Sequence, residues 1–228
     1  GAVGARQLEY RAVTRCEDGV AGAGTFLKAV VWCEFAEQMM FHEPHMLTRN
    51  WRQGWCDCPW NNDKEHPHVA AWRQGRTGIA FVDAGMREMY ITGRMHNRGR
   101  MIVASYLSKH LMTDWRIGQR WFAECLTDWD PASNAMGWQW AAGSGPDAAP
   151  YFRVFNPDLQ LKKFDPEGRY RQAWIAEGDA MPSDTALSYF RAIPRSWHIR
   201  AEDTYPVPIV SPQEGRERAL SDDQNPRF

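Results

Sequence analysis

The chain of 228 residues holds only five cysteines, an odd number without regular spacing, which excludes a disulfide scaffold and points to a reducing compartment. No apolar run approaches the roughly 18 residues that a bilayer-spanning helix needs. No basic-then-apolar leader opens the chain. The expectation is a soluble, cytoplasmic protein with no membrane partner. An excess of charge of one sign is missing too, since 27 Lys and Arg stand against 28 Asp and Glu. Bulk charge therefore gives no argument for a nucleic-acid partner. Internal repeats are absent, and no alternating pattern of strand period rises above noise. The class read from these patterns is all-α.

Tryptophan is what the sequence has in excess. Twelve indoles suit stacking sites and cofactor pockets as well as cores, because each pairs a large apolar ring with one N–H. A hydrophobic content of 43% is ordinary for a packed globule of this length. Charge is uneven locally. Between Arg94 and Arg120 lie Arg94, Arg98, Arg100, Lys109, Arg116 and Arg120, with His96 and His110, against the single acid Asp114. Such a face can meet phosphates even on a neutral protein; a solvated helix face is the plain alternative.

Taken in order, residues 1–23 hold a helix-compatible stretch and a Gly-rich break, 24–200 form the main domain, and 201–228 read as a Pro-rich extended strap with a fraying end. A helix is expected over 25–41. Leu27, Val31, Phe35 and Met39 make one stripe and Ala29, Trp32, Cys33 and Ala36 a second face. Residues 42–77 read as an irregular connection. Within it Cys56, Cys58, His66 and His68 are spaced C-x-C-x7-H-x-H, which is not a recurrent structural-zinc pattern; loop side chains are the better reading, and no metal is expected. Core helices follow over 78–92, 98–112 and 115–126, the last two joined at Thr113–Asp114. Another helix starts at Pro131 behind Asp130 as N-cap. A loop and short helix follow Arg153, and one more helix spans 183–190.

Several polar residues stand out in this apolar setting. Asp128 and Asp130, two apart at a helix start, with Arg100 in the preceding basic helix, could serve as general acid and base or could simply cap and pair. Asn134, one turn on, carries an amide that is neutral at every relevant pH.

The segments TGRMHNRGRM (92–101), KHLMTDWR (109–116), DWDPASNAMGWQWAAGSGPDAAPYFR (128–153) and FNP (155–157), with TYPVPIV (204–210), resemble the flavin-binding core of the DNA photolyase and cryptochrome family. The resemblance implies a multi-helical FAD-binding domain truncated at its N-terminal side, because the family's diphosphate-cradling segment and α/β antenna domain lie upstream of the matching region. FAD is the implied cofactor; a second, antenna chromophore would belong to the upstream domain. The implied activity is light-driven repair of cyclobutane pyrimidine dimers in UV-damaged DNA by a monomer. A cryptochrome-type photoreceptor, or a fragment without activity, is the alternative.

By the same resemblance, Asn97, Arg100, Asp128, Asp130 and Asn134 border the flavin, with Asn134 at N5. There an amide can accept a hydrogen bond without offering a proton, as in photolyases. Trp138, Trp115 and Trp60 match an electron-transfer chain running outward from the flavin. Trp32 and Trp140 match the pair that sandwiches the dimer, while Asn97 and Met101, standing where repair of (6-4) photoproducts uses histidines, favour the cyclobutane class. Arg98, Arg153 and Lys163 match basic positions that meet the DNA backbone. Two positions depart from the pattern: Ala29 replaces an acid and Cys33 an arginine.

Overall fold

The computed structural model describes residues 4–148 and 153–223. Among these residues eleven α-helices follow one another: α1 (Ala5–Glu17), α2 (Ala23–His42), α3 (Pro67–Arg73), α4 (Ala80–Thr92), α5 (Asn97–Ser105), α6 (Trp115–Cys125), α7 (Pro131–Ala142), α8 (Pro157–Phe164), α9 (Arg169–Trp174), α10 (Asp184–Ala192) and α11 (Pro212–Asp223). No sheet forms among the described residues. A parallel bridge joins Asn61 and Thr113. The all-α expectation holds.

Prolines and short polar caps set the helix starts. Pro131 and Pro157 enter α7 and α8 in the first turn, where a missing N–H costs nothing. Asp130 accepts from the Ser133 N–H at 2.7 Å, as expected, and Asp114 and Asn156 cap α6 and α8 in the same way.

Four sequence expectations are corrected. The connection over 42–77 contains α3, which starts behind His66, whose Nδ1 accepts the His68 N–H at 3.1 Å. The helix expected over 98–112 is α5 followed by a π-helical turn, Tyr106–His110, and Met112 at φ 46° then swings the chain into α6. The tail after residue 211 is a helix, not a fraying end, as far as Asp223. Its Ala219 is fully buried, and a Cβ on Gly215 would fall 2.6 Å from Cδ2 of His110, so only glycine lets α11 sit on the π turn. On α2, Val31 and Phe35 of the expected stripe are exposed; Ala23 and Ala36 are buried, with Trp32, Met39 and Met40 packed beside Ala36.

At the centre lies α4, packed against α3, α5, α8, α9 and α10. Ile79, Val82, Met86 and Met89 are buried as the periodicity requires. Its other face is buried too, and it is polar. Arg87 forms a fork-on-fork pair with Glu177 at 2.7 and 2.8 Å, both side chains having no exposure. Asp83 accepts from the Thr77 N–H and hydroxyl, the Gly78 N–H and the Tyr205 hydroxyl. Burial nevertheless holds its carboxyl above the usual range. These bonds, with Ile209 N–H to Thr77 O at 2.9 Å, clip the extended 204–210 strap to the core.

Candidate functional site

Three helices, α5, α6 and α7, carry most of the residues singled out above, and α7 packs directly on both others. Arg100 leaves α5 with its Nε donating to Met95 O at 2.8 Å. Its Nη2 reaches both oxygens of Asp128, at 2.9 and 2.8 Å, in the loop before α7. The expected pair is therefore formed, with Asp128 largely open to solvent. Asp130 is committed to capping, the plainer of its two readings. Asn134 donates Nδ2 to Gln119 O at 3.0 Å. That bond fixes the amide plane, and its Oδ1 accepts nothing from the described residues. Asn97 is exposed and Met101 half-buried, one turn apart on α5.

The three indoles of the expected chain are all buried, each in a different setting. Trp138 meets Phe122 edge-on at 4.9 Å and Trp72 at 6.0 Å between ring centroids. Its N–H is buried without a hydrogen-bond partner among the described residues. Trp115 donates its N–H to Asn50 Oδ1 at 2.8 Å and lies beneath the Arg116 guanidinium. Trp60 donates to Ser108 O at 3.2 Å and stacks on Trp55 at 5.7 Å. Among the described residues no two of the three rings form a stacked or edge-on pair, although all three belong to one hydrophobic core. Asn50 instead joins Trp115 to the backbone of Trp55, its Nδ2 donating to Trp55 O at 3.0 Å, and lines, with Trp55, Trp60, Asp114 and Arg116, a cleft of about 290 Å³. Trp72 was not singled out by sequence; a tryptophan in an apparently irregular segment gave no sign that it would meet Trp138.

Trp32 leans on α7 and Trp140 belongs to it, and among the described residues the two rings do not stack on each other. Trp32 packs against the group formed by Ala36, Met46, Ala132 and Met136, and Trp140 stacks on Phe155 at 6.4 Å. Between the indoles of α7 lies Gln139, fully buried, which sequence reasoning passed over. Its Oε1 accepts from Trp51 N–H and the Ser144 hydroxyl, while its Nε2 donates to Met46 O and Arg49 O. All four hydrogen-bonding positions of the amide are used. The 46–51 loop is thereby tied to α7.

Of the basic residues, Arg98 and Lys163 converge on one ring, that of Phe164, at 5.2 and 5.3 Å. Arg153 is exposed, and its carbonyl accepts from Lys109 Nζ at 3.1 Å. Ala29 and Cys33 are exposed on α2. Cys56 has a side chain outside the described residues, and no group of three or more His, Cys, Asp or Glu side chains converges among those described. No helix among them is long and apolar enough to cross a membrane.

A family model for the FAD binding domain of DNA photolyase matches residues 26–225. The chain is 45% identical over 199 residues to the deoxyribodipyrimidine photo-lyase of Agrobacterium fabrum, covering 86% of this chain and 41% of that protein. It is 40% identical over 227 residues to the deoxyribodipyrimidine photo-lyase of Escherichia coli, covering 97% and 46%. A bacterial class III photolyase from Agrobacterium tumefaciens has a similar structure, with a TM-score of 0.81 and 39% identity over 97% of this chain and 46% of that one. Synechocystis cryptochrome has a TM-score of 0.76 and 32% identity over 94% and 45%. The chain spans a little under half the length of these relatives. With 26–225 matched and the helical architecture shared, it belongs to the DNA photolyase and cryptochrome family, as part of that family's FAD-binding domain.

Proposed function

We propose that this chain is the part of a cyclobutane pyrimidine dimer photolyase that presents FAD to damaged DNA. One observation carries the reading: the Asn134 amide is held by Gln119 through its N–H and keeps its oxygen unspent, beside the Arg100–Asp128 pair. The unspent amide oxygen, with an ion pair whose acid is largely open to solvent, suits the polar edge of a flavin. Reduced FAD, when bound, supplies light-driven one-electron chemistry. The protein's part is binding and orientation.

Asn134 offers its oxygen without a proton to give, and the amide cannot swing because Gln119 O holds its other end. The Arg100 Nε bond to Met95 O keeps the guanidinium aimed at Asp128. Trp32 and Trp140 supply apolar walls for flipped bases, a stacking contact being worth roughly 1 to 3 kcal/mol per base. Asn97 can bond a pyrimidine edge and Met101 can pack against it. Neither shuttles protons, which favours cyclobutane dimers over lesions that need acid–base work. Arg98, Arg153 and Lys163 meet phosphates without reading sequence. Trp138, Trp115 and Trp60 are the candidate electron conduit.

The likeness to a cryptochrome, with Cys33 and Ala29 exposed where the resemblance implies charge, supports a second reading as a photoreceptor. One experiment separates the readings. The chain is loaded with FAD, desalted and divided: one portion is illuminated with blue light while the flavin is still oxidised, to read photoreduction, and the other is reduced and illuminated in the presence of dimer-containing DNA. Restored thymines support repair. Flavin photoreduction without repair supports the receptor, and loss of the yellow colour on desalting sinks both for the isolated chain.

A further inference from the structure

We propose that Asn50 tunes the Trp115 indole for electron transfer and that Gln139 is the positioning residue that holds Asn50 in place, an inference that rests on the conduit reading above. Asn50 Oδ1 accepts the Trp115 N–H at 2.8 Å, and Asn50 Nδ2 donates to Trp55 O at 3.0 Å. Gln139 grips the peptide groups on both sides of Asn50. Its Nε2 donates to Arg49 O at 3.1 Å and its Oε1 accepts from Trp51 N–H at 2.9 Å. The same Nε2 holds Met46 O at 2.7 Å, and Arg52 N–H donates to Ser144 O at 3.0 Å just beyond α7. An indole N–H can only donate and a peptide carbonyl can only accept, so neither amide can turn over without losing its bonds. Asn50, Trp115 and Gln139 are all buried, where a hydrogen bond is electrostatically stronger than in water.

The other candidate indoles show what this bond adds. The Trp138 N–H is buried without a hydrogen-bond partner among the described residues, and Trp60 donates to Ser108 O at the longer distance of 3.2 Å. Removing one electron from an indole turns its N–H into a cationic donor, and a charge-assisted hydrogen bond is roughly twice as strong as a neutral one. The Asn50 oxygen therefore stabilises the oxidised Trp115 ring more than the neutral ring, and among the described residues nothing does the same at Trp138. The Arg116 guanidinium, 4.8 Å from the Trp115 ring centroid, works the other way, but Asp114 pairs with it at 2.8 Å and offsets its charge. When Trp138 has given one electron to the light-excited, oxidised cofactor, one electron passes from Trp115 to Trp138, and the positive charge moves outward. An amide oxygen is too weak a base to take the indole proton, and the Asp114 carboxylate is engaged by the Arg116 N–H and guanidinium. Trp115 thus keeps its proton while oxidised.

The test uses the 228-residue chain loaded with oxidised FAD. Tryptophan radicals are followed by transient absorption after a laser flash, indole N–H signals by heteronuclear NMR in the dark, and folding by circular dichroism. Asn50→Leu, which keeps the volume and removes the acceptor, should move the Trp115 indole signal and shorten the charge-separated state by about tenfold, because the positive charge stays longer on Trp138, the flavin-side indole. Asn50→Asp, of the same size, sets a base at the N–H. The proton should pass from Trp115 Nε1 to the new carboxylate, so that a neutral tryptophan radical replaces the radical cation in the transient spectrum. Should Asn50→Leu unfold, Asn50→Asp alone decides. Gln139→Glu, without the amide N–H groups, should move the Trp115 signal and the lifetime in the same direction as Asn50→Leu; parental values overturn its positioning role. A parental lifetime for Asn50→Leu, or an unchanged radical cation for Asn50→Asp, overturns the tuning and leaves the conduit standing. A parent that forms no tryptophan radical overturns both.

Discussion

The Trp138 ring lies directly on the bare backbone of Gly118: a Cβ at that position would stand 2.0 Å from Cη2 and 2.5 Å from Cζ3 of the indole. Gly118 is three residues after Trp115 on α6, so the same helix that holds one candidate conduit indole supplies the floor for the next. Gly118→Ala should therefore displace the Trp138 indole rather than be absorbed by a flexible neighbour. Overpacking of this kind costs about 1 to 3 kcal/mol. Urea unfolding should show that loss, together with a changed near-UV circular dichroism spectrum. An alanine variant with parental stability and spectrum would contradict this packing.

Arg100 and Asp128 give a prediction in which stability and binding part company. The ion pair is well formed, yet the Asp128 side chain is 59% exposed, and exposed pairs contribute about 0 to 1 kcal/mol. Asp128→Asn should leave the melting temperature nearly unchanged while lowering the fraction of FAD retained after desalting. Equal retention by variant and parent would remove the pair from the cofactor site. A large drop in melting temperature would make its role structural.

Much of the scaffold could be read from sequence because its causes are local. Asp130 followed by Pro131 marks a helix start by cap chemistry and ring geometry, and the Ile79, Val82, Met86 and Met89 spacing marks a buried face. What could not be read depends on distant partners or on small residues. Gln139 spends its amide on a loop about 90 residues earlier, and Asn50 reaches Trp115 across 65; no local pattern distinguishes either from a surface amide. The α11 helix is missed because Gly215 and Ala219 anchor it, and neither contributes a hydrophobic stripe. Within the candidate site, the Arg100–Asp128 pair followed from the resemblance. The sharing of Phe164 by Arg98 and Lys163 did not, since it depends on how α8 packs back toward α5.

The Arg87–Glu177 pair is the counterpart of Arg100–Asp128 in a dry setting. Both side chains are fully buried, and the Arg87 guanidinium also rests on the Tyr189 ring at 4.8 Å. Burial works against its charge, but the Glu177 carboxylate outweighs that and holds its pKa above the usual arginine value. Glu177→Leu strips the cation of its counterion, and breaking one side of a buried pair costs about 3 to 5 kcal/mol. Combining it with Arg87→Met should cost less than the sum of the two single changes, because no uncompensated charge remains. Strict additivity in urea unfolding would mean that the two groups are not coupled as their geometry requires.

Acid sensitivity should trace to His110. Its ring is fully buried in the π turn, stacks on Tyr106 at 5.0 Å and faces the Gly215 backbone of α11. Both ring nitrogens are buried without a hydrogen-bond partner of good geometry among the described residues. Burial pushes its pKa down to about 4, with the Ser105 carbonyl pulling the other way and the neighbouring Lys109 charge adding to the fall. The sign follows from proton counts. Between the ordinary histidine value near 6.5 and about 4, the unfolded chain holds a proton on this ring that the folded chain does not. Stability is therefore fully present above that window and is lost as pH falls through it. Between pH 7 and pH 5 the loss from this group comes to about 2 kcal/mol. His110→Phe keeps an aromatic ring against Tyr106 and removes the titration, so its melting temperature should fall less than the parent's over the same interval. Parallel falls in the two proteins would assign the acid sensitivity to other groups and place His110 in a wetter setting than the packing of α11 allows.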